Sequence, residues 1–302
     1  FQKLFVSLQN KCFFSIAKIQ NNIETSSFFM METDNNNIFH AQTSRLTIRI
    51  GEQQMIFAVG NPQGLQKIVY ETYETDKGLS AVANFRNAIS SSELLGSGYK
   101  RCLALLTTDV MLIPIDEFQN EDTDLLYQTS FSGHEKDELV HSILPNLKVA
   151  AVFPVNKDLK KALCEHFEEV QFLPSCQPVW THLYRRNFTV SRQKLFAYFY
   201  DKRMNIFCFA QNRFKFCNTF DATHMEDALY FLFYTWKQLG FHAEKDELYL
   251  VGNFQNKEQI REQLKLYIQR FSFINPAVEF DHTAIAVDEH LPYDLKALYL
   301  DH

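Results

Sequence analysis

Polar and apolar positions along the chain fall into two stretches with the same order of periods. In the second, Leu195–Tyr200 and Met204–Ala210 are aromatic-rich runs of high strand propensity, and the polar Asp201-Lys202-Arg203 between them predicts a hairpin turn. Gln211-Asn212-Arg213 marks another turn before a third strand, Phe214–Phe220, with Phe214, Phe216 and, after a change of register, Phe220 facing inward. Thr223-His-Met-Glu226 has the spacing of a capping box and opens a helix whose apolar face is Met225, Leu229, Leu232, Trp236 and Leu239. Gly240 supplies the left-handed residue that ends it. Leu248–Val251 is a short apolar run suited to a strand covered on both faces, Gly252-Asn253 breaks it, and a helix is expected over Lys257–Arg270. The order is β-β-β-α-β-α.

The first stretch repeats that order. Arg45–Ile50 and Met55–Val59 flank the turn Gly51-Glu52-Gln53, and Lys67–Tyr73 gives a third strand after Asn61-Pro62-Gln63-Gly64. A helix over Ser80–Leu95, closed by Gly96-Ser97-Gly98, and an apolar strand, Arg101–Leu106, follow. The pattern is then interrupted. Val110–Ile115 reads as an edge strand because Pro114 has no N–H for a central ladder, and Asp116–Tyr127 is acidic without the ligand spacing of a calcium loop. Glu138–Leu144 and Leu147–Val155 read as strands. Asn156 caps a helix carrying Leu159, Leu163 and Phe167, and Val170–Leu173 returns to strand. A helix over Pro174–Asn187, with Val179, Trp180 and Leu183 inward, lies between the stretches, and the boundary is placed near Ser191. The tail predicts a strand at Ala277–Phe280, a loop through His290 and a helix over Pro292–Leu300. The domains expected are 1–40, a poorly ordered or appended segment, then 41–190 and 191–302. Met30 or Met31 is the expected native start, with a partner-binding amphipathic helix as the competing reading of the segment before it.

Composition narrows the class. The 302 residues are 46% hydrophobic and 22% charged, an ordinary globular balance, and no apolar run reaches the ~20 residues that cross a bilayer. The net charge of −6 argues against a surface that tracks phosphates, so nucleic acid is not an expected partner; the densest basic region, Arg185 to Arg203, reads as a solvated helix end and turn. Six cysteines without a C-x-x-C spacing point to a reducing cytoplasm; Cys208 and Cys217 could face each other in one hairpin register, with reduced core residues as the plainer reading. Ten histidines without ligand spacing predict no metal ligation.

Two α/β halves of this order, joined by a helix, resemble the actin-like ATPase (ribonuclease H-like) fold shared by actin, heat-shock ATPases, sugar kinases and pilus-assembly proteins. Arg45 to Leu300 is also similar to a bacterial family of unknown function, domain-of-unknown-function family 3822, whose members are regarded as actin-like. The resemblance implies a cleft in which nucleotide phosphates lie between two hairpin turns and a Gly-rich turn meets the adenosine. The implied cleft residues are Arg49 and Gly51, Asp201 and Arg203, and Gly252 with Asn253. Arg49 stands where the active families carry an aspartate, Arg203 where they carry a glycine, and Gly252-Asn253 replaces paired glycines. As plain turn residues, Gly51, Asp201 and Gly252 are explained by backbone geometry alone. No catalytic residue and no metal ligand is assigned, and the altered turns do not favour ATP with magnesium. The expectation is a non-catalytic cytoplasmic scaffold acting through an unidentified protein partner; an aromatic fraction of 15% is available for an interaction surface, with core packing as the default destination of Phe and Tyr. The alternative is an ATP-binding protein, an ATPase or phosphotransferase, with an unusual cleft.

Overall fold

The two repeated stretches build two five-stranded sheets of identical plan. In the computed structural model, which describes residues 45–60, 68–134, 137–186, 192–210, 213–254, 256–280 and 284–300, the first sheet has the order β3-β2-β1-β4-β8. Its strands are β1 (Arg45–Ile50), β2 (Gln54–Val59), β3 (Val69–Glu74), β4 (Arg101–Leu106) and β8 (Glu169–Pro174). The second has the order β11-β10-β9-β12-β13, from β9 (Lys194–Tyr200), β10 (Arg203–Ala210), β11 (Arg213–Asp221), β12 (Glu247–Gly252) and β13 (Phe271–Phe273). Each sheet opens with an antiparallel meander and adds its last two strands in parallel beside the first. The described residues all fall within one compact unit, Ala41–His302. The expectations for residues 1–40, the turns at 61–64 and 211–212 and the boundary at Ser191 lie outside the described residues.

Helices cover both faces. On one side of the first sheet, α1 (Ala81–Ser91) and α4 (Lys157–His166) bury Phe85, Ala88, Leu159, Ala162 and Leu163 against the strands. The helix expected over Ser80–Leu95 is broken: Ser80 caps α1, and Ser92 caps a separate turn, α2 (Glu93–Gly96), by accepting from the Leu95 N–H. Asn156 caps α4 as expected, accepting from the N–H groups of Asp158 and Leu159. The interruption, β5 (Met111–Pro114), α3 (Thr123–Ser130), β6 (Glu138–Leu144) and β7 (Val149–Val155), forms its own three-stranded sheet in the order β5-β7-β6, with the proline-bearing β5 at an edge. On the second sheet, α6 (Met225–Gln238) and α7 (Lys257–Lys265) pack Ala228, Leu229, Leu232, Trp236, Ile260 and Leu264 onto one face.

The remaining faces are covered by exchange. Helix α5 (Gln177–Arg186) follows the first sheet but packs Val179, Trp180 and Leu183 against Phe196, Tyr198 and Phe207 of the second. Trp180 Nε1 donates to Asn205 Oδ1 at 2.7 Å and so fixes the helix on β10. The last helices are α8 (Pro276–Glu279), α9 (Ala284–Val287) and α10 (Tyr293–Leu300). Helix α10 follows the second sheet but, with Leu291 before it, sets Leu295 and Tyr299 on Ile56, Ala58, Leu103 and Leu105 of the first. The Tyr299 hydroxyl lies 2.7 Å from Thr47 Oγ1 and 3.0 Å from the Ala58 carbonyl.

Several expectations are corrected. Thr223 is not the N-cap of α6; its N–H is taken by Asp221, and the helix starts at Met225 after an uncapped His224. Helix α7 stops at Lys265, because the chain must turn by Tyr267 to lay Phe271–Phe273 parallel to β12. The strand expected at Ala277–Phe280 is the helical turn α8, started by Asn275, whose side chain accepts from the Ala277 N–H. Cys208 pairs in register with Phe216, and Cys217 with Phe207. The two thiols therefore lie on opposite faces of the sheet and do not meet.

Candidate functional site

Parallel strands end at the same edge of a sheet, and that edge is where open α/β sheets bind ligands. Here it carries the end of β1, the Gly51–Gln53 turn, Thr107 after β4 and, facing them from the second sheet, the two-residue hairpin Asp201-Lys202. Both hairpin residues have positive φ, 44° and 60°, which matches the twist of a tight hairpin but is unusual for residues with side chains. Arg203 is thus the first residue of β10 and not part of the turn.

Arg49 points from β1 toward α10 and is only 1% exposed. Its Nε donates to Asp294 Oδ2 at 2.7 Å, and its Nη2 lies 3.0 Å from Asp201 Oδ2. Asp294, in the first turn of α10, is fully buried and also accepts from Tyr198 OH at 3.0 Å and from the Leu295 N–H at 2.7 Å. Asp201 accepts from Thr107 Oγ1 at 2.8 Å. One guanidinium therefore joins the first sheet to both the hairpin and the last helix of the second half. Burial by itself would lower the Arg49 pKa, but Asp294 and then Asp201 overcome it and hold the guanidinium above its ordinary value. Burial raises the Asp294 carboxyl above its ordinary value overall, with Arg49 pulling against that shift. With three donors on its oxygens, we read Asp294 as the anionic partner.

Gly51 permits this approach. A Cβ there would stand 2.8 Å from Asp201 Oδ2 and 3.0 Å from Arg49 Nη1, so a larger residue would push the hairpin and the guanidinium away. Nearer the surface, Arg203 Nη1 donates to Asp109 Oδ1 at 2.9 Å and its Nη2 to Glu52 Oε1 at 3.3 Å. Burial works to lower the Arg203 pKa, but the neighbouring Asp109 carboxylate, followed by Tyr200 and Glu52, raises it overall. Gly252, with φ of 102°, ends β12 against β9, where a Cβ would collide with the Phe199 carbonyl. The Asn253 N–H donates to that carbonyl at 3.1 Å.

Of the six residues singled out in the sequence, Arg49 and Asp201 meet in one buried ion pair beside Gly51, Arg203 forms a separate set nearer the surface with Asp109 and Glu52, and Gly252 and Asn253 are held by the backbone of Phe199. Sequence reasoning missed Asp294, Thr107 and Asp109. Asp294 alone left a signal, a carboxylate at the start of the run Leu295–Leu300, in which Lys296 is the one other charged residue. Among the described residues, no group of three or more His, Cys, Asp or Glu is placed to hold a metal ion. The hairpin carboxylate, Asp201, is engaged by Arg49 and Thr107.

The same architecture appears in solved structures. A Bacteroides thetaiotaomicron protein with an actin-like ATPase fold and unknown function superposes with a TM-score of 0.76 at 26% identity, over 88% of this chain and 99% of that one. The PilM–PilN type IV pilus biogenesis complex gives a TM-score of 0.52 at 11% identity, over 86% of this chain and 98% of that one. Curated proteins offer no match. The fold is that of the actin-like ATPases, and no described helix is long and apolar enough to cross a membrane. The sequence profile of DUF3822, described as a protein of unknown function, matches residues 33–271, and the chain belongs to that family.

Proposed function

We propose that the protein is a non-catalytic actin-like scaffold that works in the cytoplasm through protein partners. The observation that carries this reading is the internal neutralisation of both cleft arginines: Arg49 by Asp294 and Asp201, and Arg203 by Asp109 and Glu52. Charges that a triphosphate would have to satisfy are already satisfied within the chain, and breaking the buried set leaves uncompensated charge out of water. The halves are thereby closed by side chains in the place where an active relative closes on nucleotide. PilM, of the same fold, was solved in complex with PilN, which supports a partner-binding role for this architecture.

The test is thermal unfolding and calorimetry with ATP and magnesium. A ligand at a hundredfold excess over its Kd stabilises the native state by about 2.7 kcal/mol. The scaffold reading expects no shift at millimolar ATP. A shift accompanied by phosphate release would replace it with the second reading, an ATP-binding ATPase or phosphotransferase. One observation favours that alternative: Arg49 Nη1 is buried beside Gly51 without a hydrogen-bond partner, and a guanidinium can take a phosphate through its own donors. Under it, Arg203→Gln would abolish the ATP-dependent shift. Gly252 is unsuitable for this test because its substitution collides with β9 whether or not nucleotide binds.

A further inference from the structure

The covered cleft is not the only concavity of the molecule. A trough of about 720 Å3 runs between α6 and α7 on the outer face of the second sheet, with Met225, Leu229, Phe233, Trp236 and Ile268 among its lining residues. Each of the two helices links parallel strands and so runs back against them; they lie side by side in the same direction. Two tyrosines stand at the trough more than half exposed, Tyr230 at 59% and Tyr267 at 61%, and the Tyr267 ring leans on Phe233 at 4.8 Å between centroids. Leu266, 68% exposed, extends the apolar surface beyond the end of α7. Aromatic rings left in water at this density are what interface centres use for contact area at low entropy cost.

The sequence of α6 gives the trough a polarity. Glu226, Tyr230, Phe233 and Lys237 follow at steps of four, three and four residues, which is one stripe along a helix. The stripe is aromatic in the middle and carries opposite charges at its ends, eleven residues or about 16 Å apart. Neither Glu226 nor Lys237 is ion-paired among the described residues. The facing wall on α7, Gln259 and Gln263, is uncharged.

We propose that this trough receives one amphipathic helix of a partner protein, lying antiparallel to α6. Its apolar face meets Tyr230, Phe233 and Tyr267. An acidic residue in its first turn pairs with Lys237, and a basic residue in its last turn, about eleven positions on, pairs with Glu226. Three effects agree on that direction. The charges are complementary to those of the stripe, they are the charges that suit the occupant's own helix dipole, and antiparallel packing sets its dipole against those of α6 and α7. The proposal names the class of partner for the scaffold reading but is independent of what the cleft binds.

The probe is a pair of synthetic sixteen-residue helical peptides with the same leucine stripe and the same composition, one with Glu in the first turn and Arg in the last, the other reversed. Binding is read from the emission of Trp236 at the trough, because the other tryptophan, Trp180, is buried under the opposite face of the sheet. The acidic-first peptide is expected to bind about tenfold more tightly at low salt, since two exposed pairs change from attraction to repulsion between the peptides. The Glu226→Lys/Lys237→Glu double variant is expected to invert the preference, which separates pairing across the trough from differences in peptide helicity. Tyr230→Asp is expected to remove binding of both. Equal affinities, a preference the double variant leaves unchanged, or no binding at millimolar peptide would each overturn the proposal. The ATP experiment would stand in all three cases, so this proposal and the scaffold reading fall separately.

Discussion

Arg49 shows how a buried strand arginine can tie together elements that lie far apart in the sequence. An arginine in place of the expected aspartate would be costly in a buried strand unless something neutralised it, and here two carboxylates from the other half do so. Arg49→Met is therefore expected to cost about 3–5 kcal/mol by urea denaturation, because Asp294 would be left charged and buried. The paired change Arg49→Met/Asp294→Leu should recover most of that loss, since an apolar pair of similar volume carries no desolvation cost. Failure of the double variant to recover stability would mean that Asp294 is held mainly by its other donors, Tyr198 and the Leu295 N–H. Arg203 should behave differently. Its partners Asp109 and Glu52 are 33% and 57% exposed, so after solvent screening Arg203→Gln is expected to cost at most about 1 kcal/mol and to lose even that at high salt. Tyr299 carries a pH dependence of definite sign. Burial raises its hydroxyl to about 12 against an ordinary 10, and the hydrogen bond with Thr47 opposes the shift. Its contribution is complete below pH 10 and falls as pH rises toward about 12. Denaturation from pH 9 to 11 should show wild type losing stability relative to Tyr299→Phe, and parallel profiles would refute the assignment.

At the scale of elements, capping decides where helices begin. Asn156 satisfies two N–H groups of α4, so Asn156→Ala is expected to destabilise by about 1 kcal/mol and to lower the melting temperature by about 2–4 °C. Nearly every strand was legible in the sequence, because aromatic and β-branched runs bounded by polar turns have few competing readings; α4 was legible from period and cap, and α5 from its inward apolar positions. What was not legible has local causes. Ser92 splits a continuous apolar period because its hydroxyl serves a new first turn, accepting from Leu95 while it donates to Glu71 of β3. Phe271–Phe273 is too short to register as a strand and gains its identity only by pairing with Leu248–Leu250. Ala277–Phe280 has strand-like composition, but Asn275 and Pro276 start a helical turn there. At the cleft, the unusual residues at Arg49 and Arg203 were visible as departures from a pattern. Their partners were not, because Asp294 lies 245 residues from Arg49 and local periodicity carries no information over that distance.

Across the whole molecule, a single plan is used twice: three antiparallel strands, then two parallel ones, in the same order in both sheets. The halves are joined at three depths: the helix exchange of α5 and α10 at the base, the Arg49 set above it, and the Arg203 pairs nearest the surface. Hydrogen exchange should reflect that order. Amides of the Gly51–Gln53 and Thr107–Asp109 segments are expected to exchange faster in Arg203→Gln while those of β1 and β9 stay protected. Uniform acceleration would mean that the outer pairs hold the global fold and not the mouth alone.

The placement of α10 also has a consequence for how the chain is made. Ile56, Ala58, Leu103 and Leu105 emerge early from the ribosome, yet the residues that cover them, Leu291, Leu295 and Tyr299, are translated almost two hundred residues later. At about 5–20 residues per second, that face of the first sheet stays uncovered for roughly ten to forty seconds. During that interval it is an adhesive surface for nascent neighbours, which makes the last ten residues of the described chain the step that ends the risk.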